Sequence, residues 1–174
     1  MSNTRRLILL PLFACWWLGL RLAAGQSIWI DEWFTITNSR YPWPDFFAQL
    51  IATERRPPLH FTLFKLWYEL TGSHEMAGRL LGVAMVVLSV ALLFALTRRI
   101  AAGRPALLAA TLLALSPFWL LYGRMLRAYS QTMMLALLAT VALVWALEGR
   151  RRWWVVYAAV LAALLYTDYS ALAV

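Results

Sequence analysis

The chain has 174 residues, of which 63% are hydrophobic and 14% charged, and its formal net charge is +8. Soluble domains are about 45–50% apolar and about 25% charged, so an ordinary soluble domain is excluded, and a disordered chain needs far lower hydrophobicity. The charges lie in short gaps between apolar runs, which disfavours nucleic acid and favours membrane lipid and phosphate ligands as partners. With one cysteine and two histidines, the sequence predicts neither an intrachain disulfide nor a metal site.

Five apolar runs between charged residues approach or reach the length of a membrane helix. A span needs about 20 mostly apolar residues, and helices are favoured because backbone groups in lipid must be satisfied within the segment. We therefore predict an all-α fold, a polytopic membrane helical bundle with about five transmembrane helices. The predicted spans are residues 7–24, 79–97, 105–123, 128–147 and 153–172.

The first run has two interpretations. Arg5 and Arg6 precede it and Ala23-Ala24-Gly25 ends it, as in a secretory signal peptide. Because the rest of the chain is already polytopic, we favour a retained helix over a cleaved signal.

The orientation is predicted from the basic residues that flank the spans. Each side has eight, but those on the side of the N-terminus are confined to its tail and two short loops. This distribution favours a cytoplasmic N-terminus in a plasma (inner) membrane. Basic residues held on the outer side would bind an anionic group or pair with acids of the same side. These acids are Asp45, Glu54, Glu69 and Glu75.

Residues 25–78 form the outer loop between the first two predicted spans. Their apolar spacing predicts one amphipathic helix near 43–54 and a second near 58–71, after Pro57-Pro58, with Gly72 as its C-cap. Both helices are too short and polar to span, so we expect them to lie in the interface plane. They would cover a cleft at the ends of the spans, and such a cleft suits a substrate with a lipid tail and a polar head.

Three acidic residues are candidates for chemistry. Asp31 and Glu32 follow the first span, and adjacent carboxylates at the edge of an apolar layer could supply a general base. The alternative is a solvated pair or an interface anchor. Asp168, at the outer end of the fifth span, is a functional candidate because acids are costly near lipid, or it pairs with an arginine of the outer loop.

Two arginine pairs are candidate anion ligands. Arg124 and Arg127 are three residues apart at the outer entrance of the fourth span, where helix amides also attract anions. Arg55 and Arg56 precede the proline pair. Guanidinium groups bind phosphate in a bidentate manner, although contact with lipid headgroups would explain the same residues.

Several short elements occur in order along nearly the whole chain. They are Leu20-Arg21-Leu22 through Ser27-Ile28-Trp29-Ile30-Asp31-Glu32, then Arg56-Pro57-Pro58-Leu59-His60, Gly72 to Arg79, Ser116-Pro117, Tyr122-Gly123-Arg124 and Arg127-Ala128-Tyr129. Together these elements resemble GT-C glycosyltransferases, nearest to the protein mannosyltransferase and aminoarabinose transferase (glycosyltransferase family 39-like) group.

This resemblance implies an inverting transfer of a sugar from a polyprenyl-phosphate donor to a hydroxyl of a lipid, glycan or protein acceptor on the outer face. No metal or other cofactor is implied. The implied catalytic residues are Asp31, as general base, and Glu32. The implied donor-phosphate ligands are Arg55, Arg56, Arg124 and Arg127. Candidate substrate contacts are His60, Tyr129 and Asp168.

Two departures from the group's pattern affect these expectations. Some members carry a further acid near the turn between the third and fourth helices, whereas this chain has none between Glu75 and Glu148. Members also have more helices, so we expect residues 1–174 to be the N-terminal transmembrane module of a longer enzyme. The alternatives are a transport or lipid-handling subunit with an arginine-lined cleft, for which an internal repeat is missing, or a non-catalytic scaffold.

Overall fold

The structure is a computed structural model that describes residues 6–25, 27–54, 56–72, 74–101 and 103–169. Apart from turns and short connections, the described residues are helical. The helices are α1 (Leu9–Ala23), α2 (Ile30–Ser39), α3 (Trp43–Thr53), α4 (Leu59–Thr71), α5 (Glu75–Ala101), α6 (Gly103–Ala114), α7 (Pro117–Tyr122), α8 (Tyr129–Leu147) and α9 (Arg152–Leu165). The all-α prediction is confirmed.

Helix α5 is the centre of the bundle. It packs against α1, α6 and α8, and α9 packs against α8. The face of α6 that is buried with α5 carries Ala106, Ala110 and Ala114, one residue every four positions. Small side chains at this spacing let two helix backbones approach closely, which is how apolar helices gain packing energy without a hydrophobic driving force.

Two of the described helices, α5 and α8, are long and apolar enough to cross a membrane. The other three apolar helices, α1, α6 and α9, have between 10 and 17 residues. The helical bundle is therefore found, whereas a set of five full-length spans is not confirmed.

The predicted third span, 105–123, is wrong as one continuous helix. Helix α6 ends at Ala114 and α7 begins at Pro117, and Ser116 between them is extended, with φ −63° and ψ 121°. Proline has no N–H to continue a helix, and it pushes the preceding residue into the extended region. Helix α9 is also shorter than predicted, because it ends at Leu165.

Residues 25–78, between the first two predicted spans, are largely helical in the part that the structure describes. Helices α3 and α4 confirm the two predicted there, and Gly72 caps α4 with φ 85°, as expected of a glycine C-cap. Helix α2 was not predicted, and it carries Asp31 and Glu32 in its first turn. Helices α2 and α4 pack together over one end of the bundle, through Ile36, Phe64, Tyr68, Ala77 and Leu126. We call this end the site end, and the opposite end, where α5 and α8 finish, the distal end.

Candidate active site

Glu32 ties the start of α2 to the loop between α7 and α8. Its side chain is fully buried. Oε2 accepts a hydrogen bond of 2.9 Å from the main-chain N–H of Trp29, and Oε1 accepts one of 3.0 Å from the main-chain N–H of Leu126. Both carboxylate oxygens therefore satisfy main-chain donors, one of them 94 residues away, so Glu32 holds this loop in position.

Asp31, the neighbouring acid, is exposed. Its main-chain carbonyl accepts hydrogen bonds of 3.3 Å from Oγ1 of Thr35 and of 3.3 Å from a guanidinium N–H of Arg127. Within the described ranges no hydrogen bond or ion pair engages its carboxylate. The backbone of Asp31 is thus fixed while its carboxylate is open to a ligand.

Arg127 is buried where α2, the end of α3 and the α7–α8 loop meet. Its side chain is 6% exposed, and it donates a hydrogen bond of 2.9 Å to Oε1 of Glu54. The same nitrogen lies 3.5 Å from Oγ1 of Thr35, and the guanidinium stands 5.9 Å from the ring centroid of Phe61. The charge of Arg127 is therefore compensated by Glu54, and its geometry fixes the backbone beside Asp31.

Arg56 and Asp168 stand at one end of a groove of about 500 Å³. Their side chains are 34% and 18% exposed, and they form an ion pair of 3.3 Å. Tyr129, at the start of α8, lines the groove beside them. One guanidinium nitrogen of Arg56 contacts Asp168, and this half-buried arginine carries further N–H groups that can face a ligand.

The rest of the groove is mainly apolar and follows α8. Phe118 and Trp119 of α7 form one wall, so the break at Pro117 shapes it. From Tyr129 to Thr140, both of which line the groove, α8 rises about 16 Å. The other lining residues are Thr132, Met133, Ala136 and Leu137. A long apolar groove that ends at a charged group can hold an amphiphile, with the polar group next to Arg56.

A polar path joins this groove to Asp31. Arg56 also lines a second cavity, of about 370 Å³, together with Glu54. Glu54 in turn pairs with Arg127, which contacts the main chain of Asp31. Asp31, Arg127, Glu54, Arg56 and Asp168 therefore form one continuous series of contacts and shared cavity walls.

His60 lies beneath this path and begins a buried chain of hydrogen bonds. Its Nδ1 is 3.0 Å from Oε1 of Gln131, whose Nε2 donates to Oγ1 of Thr167 at 2.9 Å, and that hydroxyl donates to the carbonyl of Ala163. These directions assign the ring proton to Nδ1. Burial lowers the pKa of His60 from 6.5 to about 4, so the ring is neutral near pH 7. His60 therefore holds α4 against α8, and Leu59 adds a main-chain hydrogen bond to Tyr166.

Arg124 is separate from the groove. Burial, and next the charge of Arg79, lower its pKa, and its Nε has no hydrogen-bond partner within the described residues. It lines a crevice of about 10 Å³ with Gly19 and Val83, which has room for about one water molecule. Arg55, the remaining predicted phosphate ligand, lies outside the described residues.

The structure brings Asp31, Glu32 and Arg127 together, and it places Arg56 and Asp168 at the head of the groove with Tyr129. Sequence reasoning did not include Glu54 among the site residues, naming it only as one acid that could pair with a basic residue. Its position, directly after α3 and two residues before Arg56, was the available signal. Among the described residues, no three histidine, cysteine or acidic side chains are arranged to hold a metal ion.

A comparison with protein-family models identifies the fold family. The model described as dolichyl-phosphate-mannose-protein mannosyltransferase matches residues 55–174, more than half of the chain. The chain belongs to this family. The family is of the GT-C type, so the predicted relationship is confirmed and the protein is assigned to the membrane glycosyltransferases. No curated protein and no solved structure matches the chain.

The part of the chain that matches the mannosyltransferase family contains every residue that lines the groove. It also contains Arg127, which contacts the main chain of Asp31. Asp31 and Glu32 themselves precede the matched residues. They are linked to the matched part by the two hydrogen bonds that Leu126 and Arg127 donate.

Proposed function

We propose that the protein transfers a sugar from a polyprenyl-phosphate donor to a hydroxyl group of a lipid, glycan or protein acceptor, with inversion. The observation that carries this proposal is the apolar groove along α8, which ends at Arg56 and is joined by the polar path to the main chain of Asp31, whose side chain is exposed. Membership of a glycosyltransferase family supports the reaction class.

The groove suits the lipid part of such a donor. Its walls are mainly apolar, through Phe118, Trp119, Met133, Ala136 and Leu137, and a polyprenyl chain gains stability by burying its methyl and methylene groups there. The donor phosphate would lie at the head of the groove, where Arg56 supplies N–H donors. Charge-assisted hydrogen bonds from a guanidinium are stronger than neutral ones, and they strengthen further as negative charge builds up on the leaving phosphate.

Asp31 is the proposed general base. Its carboxylate takes the proton from the acceptor hydroxyl as the hydroxyl oxygen attacks the anomeric carbon. The new carbon–oxygen bond forms on the face opposite the phosphate, the bond to the phosphate oxygen breaks, and polyprenyl phosphate leaves with the bonding electrons. Attack from the opposite face inverts the anomeric configuration. Arg127 and Glu32 act as positioning residues, because their contacts are to the main chain beside Asp31 and to the α7–α8 loop.

The proposed location follows from the distribution of basic residues. The N-terminus would be cytoplasmic, and the site end would face the outside of the plasma (inner) membrane. A polyprenyl-phosphate donor would then remain in the bilayer while its sugar reaches an acceptor at the outer surface.

The test is transfer by the protein reconstituted in liposomes with a panel of polyprenyl-phosphate sugars. Asp31→Asn is expected to lower the rate by a factor of about 10² to 10⁴, the usual contribution of a general base, with donor binding and folding retained. Asp45→Asn is the matched control, because Asp45 is an exposed acid of α3 outside the polar path.

Two results would overturn the proposal. Transfer by Asp31→Asn near the parent rate would show that the acid is only an anchor. Binding of the lipid donors without transfer from any of them would favour a transport or lipid-handling role for the groove.

A further inference from the structure

The distal end of the bundle contains a second charged cavity, which the proposed transfer reaction does not use. It has a volume of about 490 Å³ and is lined by Phe94, Ala95, Arg98, Arg99, Trp145 and Arg150. Along α5, Arg98 is nineteen residues from Arg79, so the cavity lies about 28 Å from the site end. A ligand there would be independent of the groove.

The cavity has an excess of positive charge. Three guanidinium groups line it, and the acid at its edge is Glu148, which pairs with Nε of Arg99 at 2.5 Å. No ion pair of Arg98 or Arg150 occurs within the part of the chain that the structure describes. Arg150 stands 5.5 Å from the ring centroid of Trp145, which restrains its side chain. Arg98 therefore faces the cavity without a carboxylate partner among the described residues, whereas Glu148 acts on both Arg99 and Arg150, so positive charge remains in excess.

The two sides of the cavity differ in chemistry. Arg98, Arg99 and Arg150 offer planar N–H donors, which match the oxygens of a phosphate group. Phe94 and Trp145 offer apolar surface, and Trp145 packs edge-on against Trp153 with ring centroids 4.3 Å apart. A free phosphate ion would use only the guanidinium side. A phospholipid would use both, with its phosphate on the arginines and its glycerol and first methylenes on the aromatic rings.

The position of the cavity fits a lipid better than a soluble anion. It is formed where the two helices long enough to cross a membrane, α5 and α8, both finish. Tryptophan and arginine are the residues that occupy the boundary between hydrocarbon and headgroups, and basic pockets between helix ends bind anionic headgroups. We propose that this distal cavity binds the phosphate of an anionic phospholipid headgroup.

The test compares two double variants that remove the same charge from the same end. Arg98→Gln with Arg150→Gln changes the cavity, whereas Arg104→Gln with Arg151→Gln changes exposed residues at the starts of α6 and α9 that do not line it. The full chain is exchanged into bilayer discs of phosphatidylcholine, with and without phosphatidylglycerol, and retained lipid is measured by native mass spectrometry. Retention of phosphatidylglycerol is expected to fall about tenfold or more in the cavity variant, and much less in the control.

Competition distinguishes a lipid from a soluble phosphate. Added inorganic phosphate is expected to leave phosphatidylglycerol bound to the parent protein, because it cannot contact the aromatic side of the cavity. Displacement of the lipid by inorganic phosphate would overturn the assignment to a headgroup. Equal loss of phosphatidylglycerol in the two double variants would overturn the site itself, because it would show that only the overall charge of this end matters. Circular dichroism of both variants confirms that they are folded.

Discussion

The guanidinium of Arg127 donates a hydrogen bond of 2.9 Å to Oε1 of Glu54, a residue 73 positions earlier in the chain. The two side chains are only 6% and 10% exposed. Their contact joins the end of α3 to the loop before α8, and Arg127 also holds the carbonyl of Asp31. Because solvent hardly reaches the pair, removal of either side chain would leave the other charge buried without a partner. The loss of either residue should therefore destabilise the site end.

Glu54→Ala is expected to lower the free energy of unfolding by about 3–5 kcal/mol, because it leaves the charge of Arg127 buried without a partner. Thermal unfolding in detergent measures the effect. Glu148→Ala is the control, since its partner Arg99 is 56% exposed and water can solvate the charge left behind, so its loss of stability should be much smaller. Adding Arg127→Met to Glu54→Ala should recover part of the stability. Equal losses in the two single variants would contradict the burial argument.

Substitutions of the two neighbouring acids, Glu32 and Asp31, are expected to affect the stability of the protein differently. In Glu32→Gln one carboxylate oxygen becomes an NH₂ group, which faces a main-chain N–H and leaves it without an acceptor. A loss of about 1–3 kcal/mol in the free energy of unfolding follows. Asp31→Asn should leave the melting temperature unchanged, because the Asp31 carboxylate is exposed. If Asp31→Asn unfolds the protein as readily as Glu32→Gln, the separation of their roles is wrong.

Local patterns predicted α3, α4 and the Gly72 cap, because apolar spacing and a helix-ending glycine act over a few residues. The same patterns did not predict α2. Its Thr35, Ile36 and Thr37 are β-branched and favour extended structure. The feature that marks the start of α2 is Glu32, three residues after Trp29, because its carboxylate accepts a hydrogen bond from the main-chain N–H of Trp29. The break in the third predicted span also has a sequence signal, because Pro117 lies inside the run, whereas the uninterrupted apolar run around it is typical of one continuous helix.

The sequence left the long-range pairings open: pairing of Asp168 with an arginine of residues 25–78 was one of its alternatives, and Arg56 is that arginine. The sequence analysis named Arg127 and Arg56 as candidate phosphate ligands, and that role stays a prediction. Which acids they meet depends on how α3, α8 and α9 pack, and Glu54 and Asp168 are 73 and 112 residues from these arginines. The groove along α8 is likewise a product of packing, because its walls come from separate helices.

The buried ring of His60 predicts a pH dependence of stability. The unfolded chain takes up a proton as the pH falls through 6.5, whereas folded His60 does so only near its pKa of about 4. The free energy of unfolding should therefore decrease as the pH falls from 6.5 to 4, by at most about 3 kcal/mol. His60→Gln should flatten this part of the profile. The same profile in His60→Gln and in the control His74→Gln, which changes an exposed ring, would argue against it.

Gly82 is expected to tolerate no side chain. A Cβ at this position would overlap the carbonyl oxygen of Gly123, which is main chain and cannot move aside. Gly82→Ala should lower the melting temperature of the protein. Without the overlap, alanine in a helix would be more favourable than glycine by about 1 kcal/mol. Gly25→Ala is the control, because a Cβ there meets nothing within 4 Å. Stabilisation by Gly82→Ala would show that α5 and the α7–α8 loop are less closely packed than described.

Ala136→Phe tests whether the groove holds the lipid tail of the donor. The new ring would fill the middle of the groove between Phe118 and Leu137, about 10 Å along α8 from Tyr129. Each CH₂ group kept from burial costs about 0.8 kcal/mol, so loss of a few of them should raise the KM for a long-chain polyprenyl-phosphate sugar about tenfold or more. The KM for a short-chain analogue, which reaches only the head of the groove, should change little.

The matched control for this variant is Ala159→Phe, which adds the same ring to an exposed position of α9 outside the groove. It should leave both KM values unchanged. A similar loss with short and long donors in Ala136→Phe would mean that the ring disturbs the site end through the packing of α8, rather than by occupying the space of a lipid chain. A change of KM for the long donor alone ties the apolar groove to the donor tail, because the two substrates share every other contact.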